Sequence, residues 1–294
     1  MSINGFIPLN KPLGLSSQQA VSRVKKITGS KRAGHTGTLD PLATGLLLVA
    51  IGKATRLCQY FLDGDKGYRA EIKFGAATDT GDREGRVIDT ARDFYFSRQE
   101  IAAVLAKFQG SIEQRPPAAS ALKLNGQRAY TLFRQGLAPE MPVRQVQIKS
   151  LCILCPADIS DANPIMTIDV LCSKGTYIRS LAMDIGAALG CPAHLAGLVR
   201  TRISQIDLSQ AATFADLEGD YKPWLLDMAV AVEKMPKLQV EGKERKFFLQ
   251  GRELAAAGFA GEIAVFSGTR LLGIAWASQD IIKPVKVLVQ EQEL

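Results

Sequence analysis

The chain has 294 residues, 47% of them apolar and 22% charged, with 36 Lys and Arg against 29 Asp and Glu. That is the composition of a globular protein with one large core, or a large and a small one. No apolar run is long enough to span a bilayer, the first residues lack a signal peptide's charged start and long apolar region, and five cysteines, an odd number, argue against a disulfide framework. A cytoplasmic protein is therefore expected, and its net charge of +7 is compatible with a nucleic-acid partner without requiring one.

Taken in order, Phe6 to Pro12 reads as a short strand ending in a proline-flanked turn. Ser16 or Ser17 then caps a helix carrying Val21, Val24 and Ile27 on one face and closed by Gly29. Lys25, Lys26, Lys31 and Arg32 gather at its C-terminal end, where positive charge suits the helix dipole whether or not RNA is present. The stretch Ala33 to Gly45 follows, rich in glycine and threonine around a single acid, Asp40. Pro41 biases Asp40 toward an extended or turn conformation, and Leu46 to Ile51 reads as a buried strand. These residues alone leave Asp40 either a turn former or a reactive acid on a loop held by a rigid strand. A phosphate loop is excluded, because the residue after Gly34 is His35 where that motif requires lysine.

Gly52 to Thr55 leads into a helix that runs through Leu62. Tyr68, Ala70, Ile72 and Phe74 then alternate with Arg69, Glu71 and Lys73, the pattern of a half-buried strand, which by itself makes Tyr68 a core residue. Thr78 to Gly85 is a polar loop without the spacing of a calcium-binding loop. Ser97 and Glu100 form a capping box for a helix bearing Ile101, Val104, Leu105 and Phe108, with Gly110 at its end. Residues 111–155 read as strand, turn at Pro117, strand, short helix, strand. Cys152 and Cys155, and Cys191 and His194, have zinc-ligand spacing, but the first pair would point to opposite faces of a strand, so core thiols are expected. Ile165 to Cys172 alternates as another strand, and the next helix turns Ile178, Leu181 and Ile185 inward. Arg179 at its start opposes the helix dipole, which calls for a specific anionic partner. After short helices past Gln210 and a linker at Glu233 to Lys237, strands near 237–242, 262–267, 270–278 and 281–289 form either a small β-rich module or extra strands on the main sheet.

Gly34-His-Thr-Gly-Thr-Leu-Asp40-Pro-Leu-Ala-Thr-Gly45 resembles the signature loop of the bacterial tRNA pseudouridine synthase B (TruB) family. Further stretches resemble the same family: Asn10-Lys-Pro12 with Gly14-Leu-Ser-Ser17, Pro116 to Lys123, Cys172 to Ser180, and Cys191 to Arg202. Ala119 departs from the family pattern, where an aromatic is common. The resemblance implies a mixed α/β catalytic domain over 1–235, with a central, largely antiparallel sheet flanked by helices. It also implies a small PUA-like RNA-binding domain over 236–294. The implied reaction is isomerisation of a T-loop uridine of tRNA to pseudouridine after the base is extruded, with no cofactor and no metal. By the same resemblance Asp40 is the essential catalytic acid and Arg179 is its partner, keeping it ionised and oriented. Tyr68 stacks on the target base, Tyr177 and Leu198 line its pocket, and His35 fills the gap left by the extruded nucleotide. Lys11 and Lys53 are candidate phosphate contacts. A monomer that binds the tRNA T stem-loop, with no membrane and no obligate protein partner, is expected. The alternative is an RNA-binding, tRNA-folding chaperone on the same scaffold, and turnover separates the two.

Overall fold

The computed structural model describes residues 3–120, 122–124, 126–137, 139–155, 158–255, 258–278 and 280–291. Ala121, part of the Pro116 to Lys123 motif, lies outside them, as do Met1 and Ser2 of the N-terminal stretch.

A mixed sheet of nine strands organises the main domain. Its main path runs Gly5–Lys11, Ala43–Ile51, Ala193–Ile203, Lys66–Phe74, Ile165–Cys172, Arg144–Cys155, Gly110–Gln114. Neighbours on this path are antiparallel except Ala43–Ile51 against Ala193–Ile203, which run parallel. That one parallel contact puts Leu198 opposite Ala43 and Arg200 opposite Gly45, so the Asp40 loop enters the sheet beside Leu198.

The apolar run Leu46 to Ile51 is fully buried because both faces of its strand are covered. Leu47, Val49 and Ile51 join Ile7 and Leu9 under Ala20, Val21 and Val24 of the helix Ser17–Thr28. Leu46, Leu48 and Ala50 belong to a second cluster with Phe6 and Phe61 that continues into Phe248, Ile263, Val265 and Ile274. Each fully buried aliphatic or aromatic side chain contributes about 1.5–3 kcal/mol. The third cluster packs Ala70, Ile72 and Phe74 against Ile101 and Leu105 of Arg98–Ala106 and Leu181 and Ile185 of Ile178–Ala188.

Residues beyond Pro236 form a separate five-stranded sheet, ordered Lys237–Gln239, Gly261–Ser267, Arg270–Ser278, Ile281–Val287, Leu254–Ala255. It is a β-rich unit rather than an extension of the main sheet, and its core is continuous with the main one. The helix Gly242–Leu249 within it was not legible in the sequence, because only Phe248 of it is buried and so it shows no apolar stripe. Two helix boundaries also differ. The helix capped by Ser97 and Glu100 ends at Ala106, short of Gly110, and residues 52–62 divide into a 3-10 helix, Gly52–Leu57, and an α-helix, Cys58–Leu62.

The expectation of core thiols is corrected at Cys152 and Cys155. Both are exposed, on a strand that bulges between Ile153 and Cys155, whereas Cys172 and Cys191 are buried. Burial pushes the Cys58 and Cys172 thiols up to about 11, so both are protonated and unreactive at pH 8. A disulfide reagent at pH 8 should therefore titrate two thiols quickly in the native protein and all five after denaturation; three or more fast thiols would contradict this burial. Among the described residues no helix is long and apolar enough to cross a membrane, and no group of three His, Cys, Asp or Glu gathers to hold a metal ion.

Candidate active site

The loop that carries Asp40 is tied down on both sides. Ser16 caps the helix Ser17–Thr28 in a reciprocal box with Gln19, which leaves the buried Ser17 hydroxyl free to reach across to the loop. The Leu39 N–H donates to Ser17 Oγ at 2.7 Å and Ser17 Oγ donates to the Leu39 carbonyl at 2.9 Å, one residue before the acid. After the acid, the Ala43 N–H donates to the Asp40 carbonyl at 3.0 Å, and the Gly14 N–H donates to the Pro41 carbonyl at 2.9 Å. The serine pair in the first motif and the Asp40 loop are thus one structural unit.

Arg179 arrives from the opposite side. Its helix has no side-chain cap; instead Gln114, which is buried, brackets the main chain of Tyr177, accepting from its N–H at 2.7 Å and donating to its carbonyl at 3.0 Å. The Arg179 guanidinium, 9% exposed, meets two carboxylates: Asp40 at 3.2 Å and Asp82 at 3.3 Å. It also donates to the carbonyls of Thr80 at 3.1 Å and Ala119 at 3.0 Å. The anionic partner demanded by its place at a helix start is therefore a pair of acids. Asp82 is itself held by the Thr80 hydroxyl at 2.7 Å and the Glu84 N–H at 3.1 Å. The Asp40 carboxylate is 47% exposed and that of Asp82 is 13% exposed. Of the two acids, Asp40 is the one a ligand can reach.

Asp40 opens into a cleft of about 380 Å³ lined also by Tyr68, Tyr177, Arg179, Leu198 and Arg200. That volume suits a nucleoside-sized ligand. Burial raises the Tyr68 phenol above the ordinary tyrosine value, so the hydroxyl is protonated at neutral pH. Five of the six residues singled out from the sequence thus share one cavity. The sixth, His35, is not among the lining residues. It ends the short strand Ala33–His35, and its Nδ1 accepts from the Gly37 N–H at 3.2 Å. Burial and the Arg200 charge lower its pKa below the ordinary histidine value, so it is neutral at pH 7.

Lys11 requires correction as a phosphate contact. It is fully buried, and its ammonium donates to the carbonyls of Pro12 at 2.9 Å and Leu15 at 2.8 Å. Burial and the Arg200 charge push it down to about 8, with Asp40 acting the other way. Lys66, also buried, staples the turn after Cys58–Leu62 through the carbonyls of Phe61, Leu62 and Gly64. Sequence reasoning missed Asp82, Gln114, Lys66 and Arg200. Arg200 alone left a sequence signal: it shares the alternation of the strand with Leu198, which puts a charge on an inward face.

Gly45 is the tightest point of the site. It has φ +96° and lies opposite Arg200, whose backbone carbonyl occupies the place a Cβ would take. Gly45→Ala should cost about 3 kcal/mol, combining left-handed strain with a backbone collision. A urea midpoint within error of wild type would show that the strands can separate there without penalty.

Residues 25–178 match the family described as TruB family pseudouridylate synthase (N terminal domain). Residues 179–232 match the tRNA pseudouridylate synthase B C-terminal domain. A tRNA pseudouridine synthase B of Dechloromonas aromatica is 42% identical, over 92% of this chain and 91% of its own. One from Symbiobacterium thermophilum is 45% identical over 85% and 82%. A chain in the crystal structure of a Cbf5-Nop10-Gar1 complex superposes with a TM-score of 0.73 at 27% identity, covering 98% of this chain and 86% of that one. With the glycine-rich acid loop, its arginine and the cleft between them all on the matched segments, the chain belongs to the TruB family of pseudouridylate synthases.

Proposed function

We propose that the protein is a tRNA pseudouridine synthase that isomerises the T-loop uridine, with Asp40 as its essential acid. The observation that carries this reading is the Asp40–Arg179 pair, at 3.2 Å, opening into a nucleoside-sized cleft in a chain of this family. In the reaction the bond between ribose carbon 1 and uracil nitrogen 1 breaks, the base turns, and carbon 5 takes the sugar. Carbon 5 loses its hydrogen and nitrogen 1 ends as N–H, so composition is unchanged. Asp40 acts as nucleophile or base, splitting one barrier into two or relaying the proton. Arg179 orients it, with Asp82 orienting Arg179 in turn. Tyr68 supplies a stacking face in the cleft, and Tyr177 and Leu198 enclose the extruded base. His35, outside the cleft and neutral, serves to fill the space the base leaves in the loop.

Residues 1–235 act as the catalytic domain and 236–294 as a PUA-like RNA-binding domain, in a monomer that takes the tRNA T stem-loop without a protein partner. A cleft where Arg32, Lys53 and Arg56 meet the end of the second sheet supports phosphate contact there.

The test is release of tritium from carbon 5 of labelled uridine in a T-arm transcript. Release at catalytic enzyme concentration is the expected result. Tight binding without release would overturn the synthase reading and leave an RNA chaperone.

A further inference from the structure

We propose that Arg200 is a positioning residue of this reaction, a buried cation that fixes the Asp40 loop beside the strand that carries Tyr68. The inference rests on the synthase reading above.

One row of paired residues crosses the sheet: Lys11 opposite Gly45, Gly45 opposite Arg200, Arg200 opposite Tyr68, Tyr68 opposite Val170. Residues paired in a row face the same side of a sheet. Gly45, with no side chain, lets the strand after the Asp40 loop close onto the backbone of Arg200. The guanidinium then reaches back over the loop. Nε donates to the Leu46 carbonyl at 2.7 Å, Nη1 to that of Thr38 at 3.1 Å and Nη2 to that of Gly37 at 3.2 Å. Two of these acceptors precede Asp40 and one follows it, so a single side chain holds the loop from both ends.

Arg200 is 1% exposed and, among the described residues, no carboxylate forms an ion pair with it. A buried charge without a counter-charge is costly, and carbonyl hydrogen bonds offset only part of that cost. The same guanidinium lines the cleft together with Asp40 and Tyr68, and its charge opposes the effect of burial on the Tyr68 hydroxyl. Arg200 therefore ties the loop to the strand pairing that places Tyr68. A lysine in its place would keep the charge but lose the planar fork that spans three carbonyls.

The experiment compares Arg200→Lys with wild type in the full chain, alone and combined with Tyr68→Phe. The readouts are single-turnover tritium release at saturating T-arm RNA, RNA Kd, and melting temperature. The expected result is a Kd within about threefold and a rate lowered by about 100-fold, the size of effect that misplacement by an ångström produces. With Tyr68→Phe the two losses should fall short of multiplying by at least about tenfold, because the two residues are cross-strand neighbours lining one cleft. An unchanged rate, a loss that follows RNA affinity or folded fraction, or losses that multiply in the double variant would each overturn the proposal. If Arg200→Lys does not fold, Arg200→Gln is read in the same way, and failure of both to fold would make Arg200 purely structural. Absence of release by wild type would instead overturn the synthase reading itself.

Discussion

Asp40→Asn should abolish turnover, by about 10⁴-fold or more, while leaving RNA affinity and melting temperature near those of wild type. The exchange keeps the shape of the side chain, and the bonds that hold the loop, the Ser17 hydroxyl to the Leu39 main chain and the Ala43 N–H to the Asp40 carbonyl, do not involve its carboxylate. The carboxylate is half exposed and makes one ion pair, so little folding energy depends on it. What disappears is the charge able to attack or to take a proton. Single-turnover tritium release and RNA binding on the same preparation separate these effects. Residual turnover within about tenfold of wild type would make Asp40 an orienting group rather than the essential acid.

Replacing Arg179 should affect both activity and stability. Arg179→Met leaves the shielded Asp82 without its cation and frees the carbonyls of Thr80 and Ala119, and breaking such a pair costs about 3–5 kcal/mol. Turnover should fall to the level of Asp40→Asn. Arg179→Lys restores the charge but cannot reach two carboxylates and two carbonyls at once, so partial stability with turnover still about 100-fold down is expected. Asp82→Asn tests the second acid: it should lower turnover with little change in RNA affinity, because Asp82 touches Arg179 and its own loop, not the open part of the cleft. Urea unfolding and single-turnover rates across the three variants check the order. Equal turnover in Arg179→Lys and wild type would reduce the arginine to a point charge.

Most of the scaffold was legible in the sequence because it follows from local rules. The capping box at Ser97, the helix closed by Gly29 and the alternation through Tyr68 to Phe74 form as expected, and of the two serines offered as the first helix's cap the structure uses Ser16. The unbroken apolar run at Leu46 to Ile51 signalled a strand covered on both faces, and the two covers are the first helix and the second sheet. Arg179 was legible through its conflict with the helix dipole. Asp82 was not, since an acid in a polar loop looks like any other until the loop is folded against Leu195. Arg200 shares a strand face with Leu198, but the row that gives it a role joins strands far apart in the chain, which no window of sequence contains. Lys11 was misread because a lysine at a strand end reads as solvated. Here the proline turn that follows offers it two carbonyls.

The shared core between the two sheets also bears on how the C-terminal unit can be studied. Cutting after residue 236 would strip Phe6, Leu46, Leu48 and Phe61 of the partners that cover them, so lost activity in a truncated protein would mix unfolding with weaker RNA contact. A charge-reversing substitution at Arg32 tests the RNA surface without removing any residue of that core.

The most direct test of the central claim is to map the product on an unmodified full-length tRNA. Carbodiimide treatment followed by primer extension marks each pseudouridine as a stop. One stop at the T-loop uridine with wild type, and none with Asp40→Asn, is the expected result. A bound but unmarked tRNA, a stop at another uridine, or the same stop with Asp40→Asn would contradict the account.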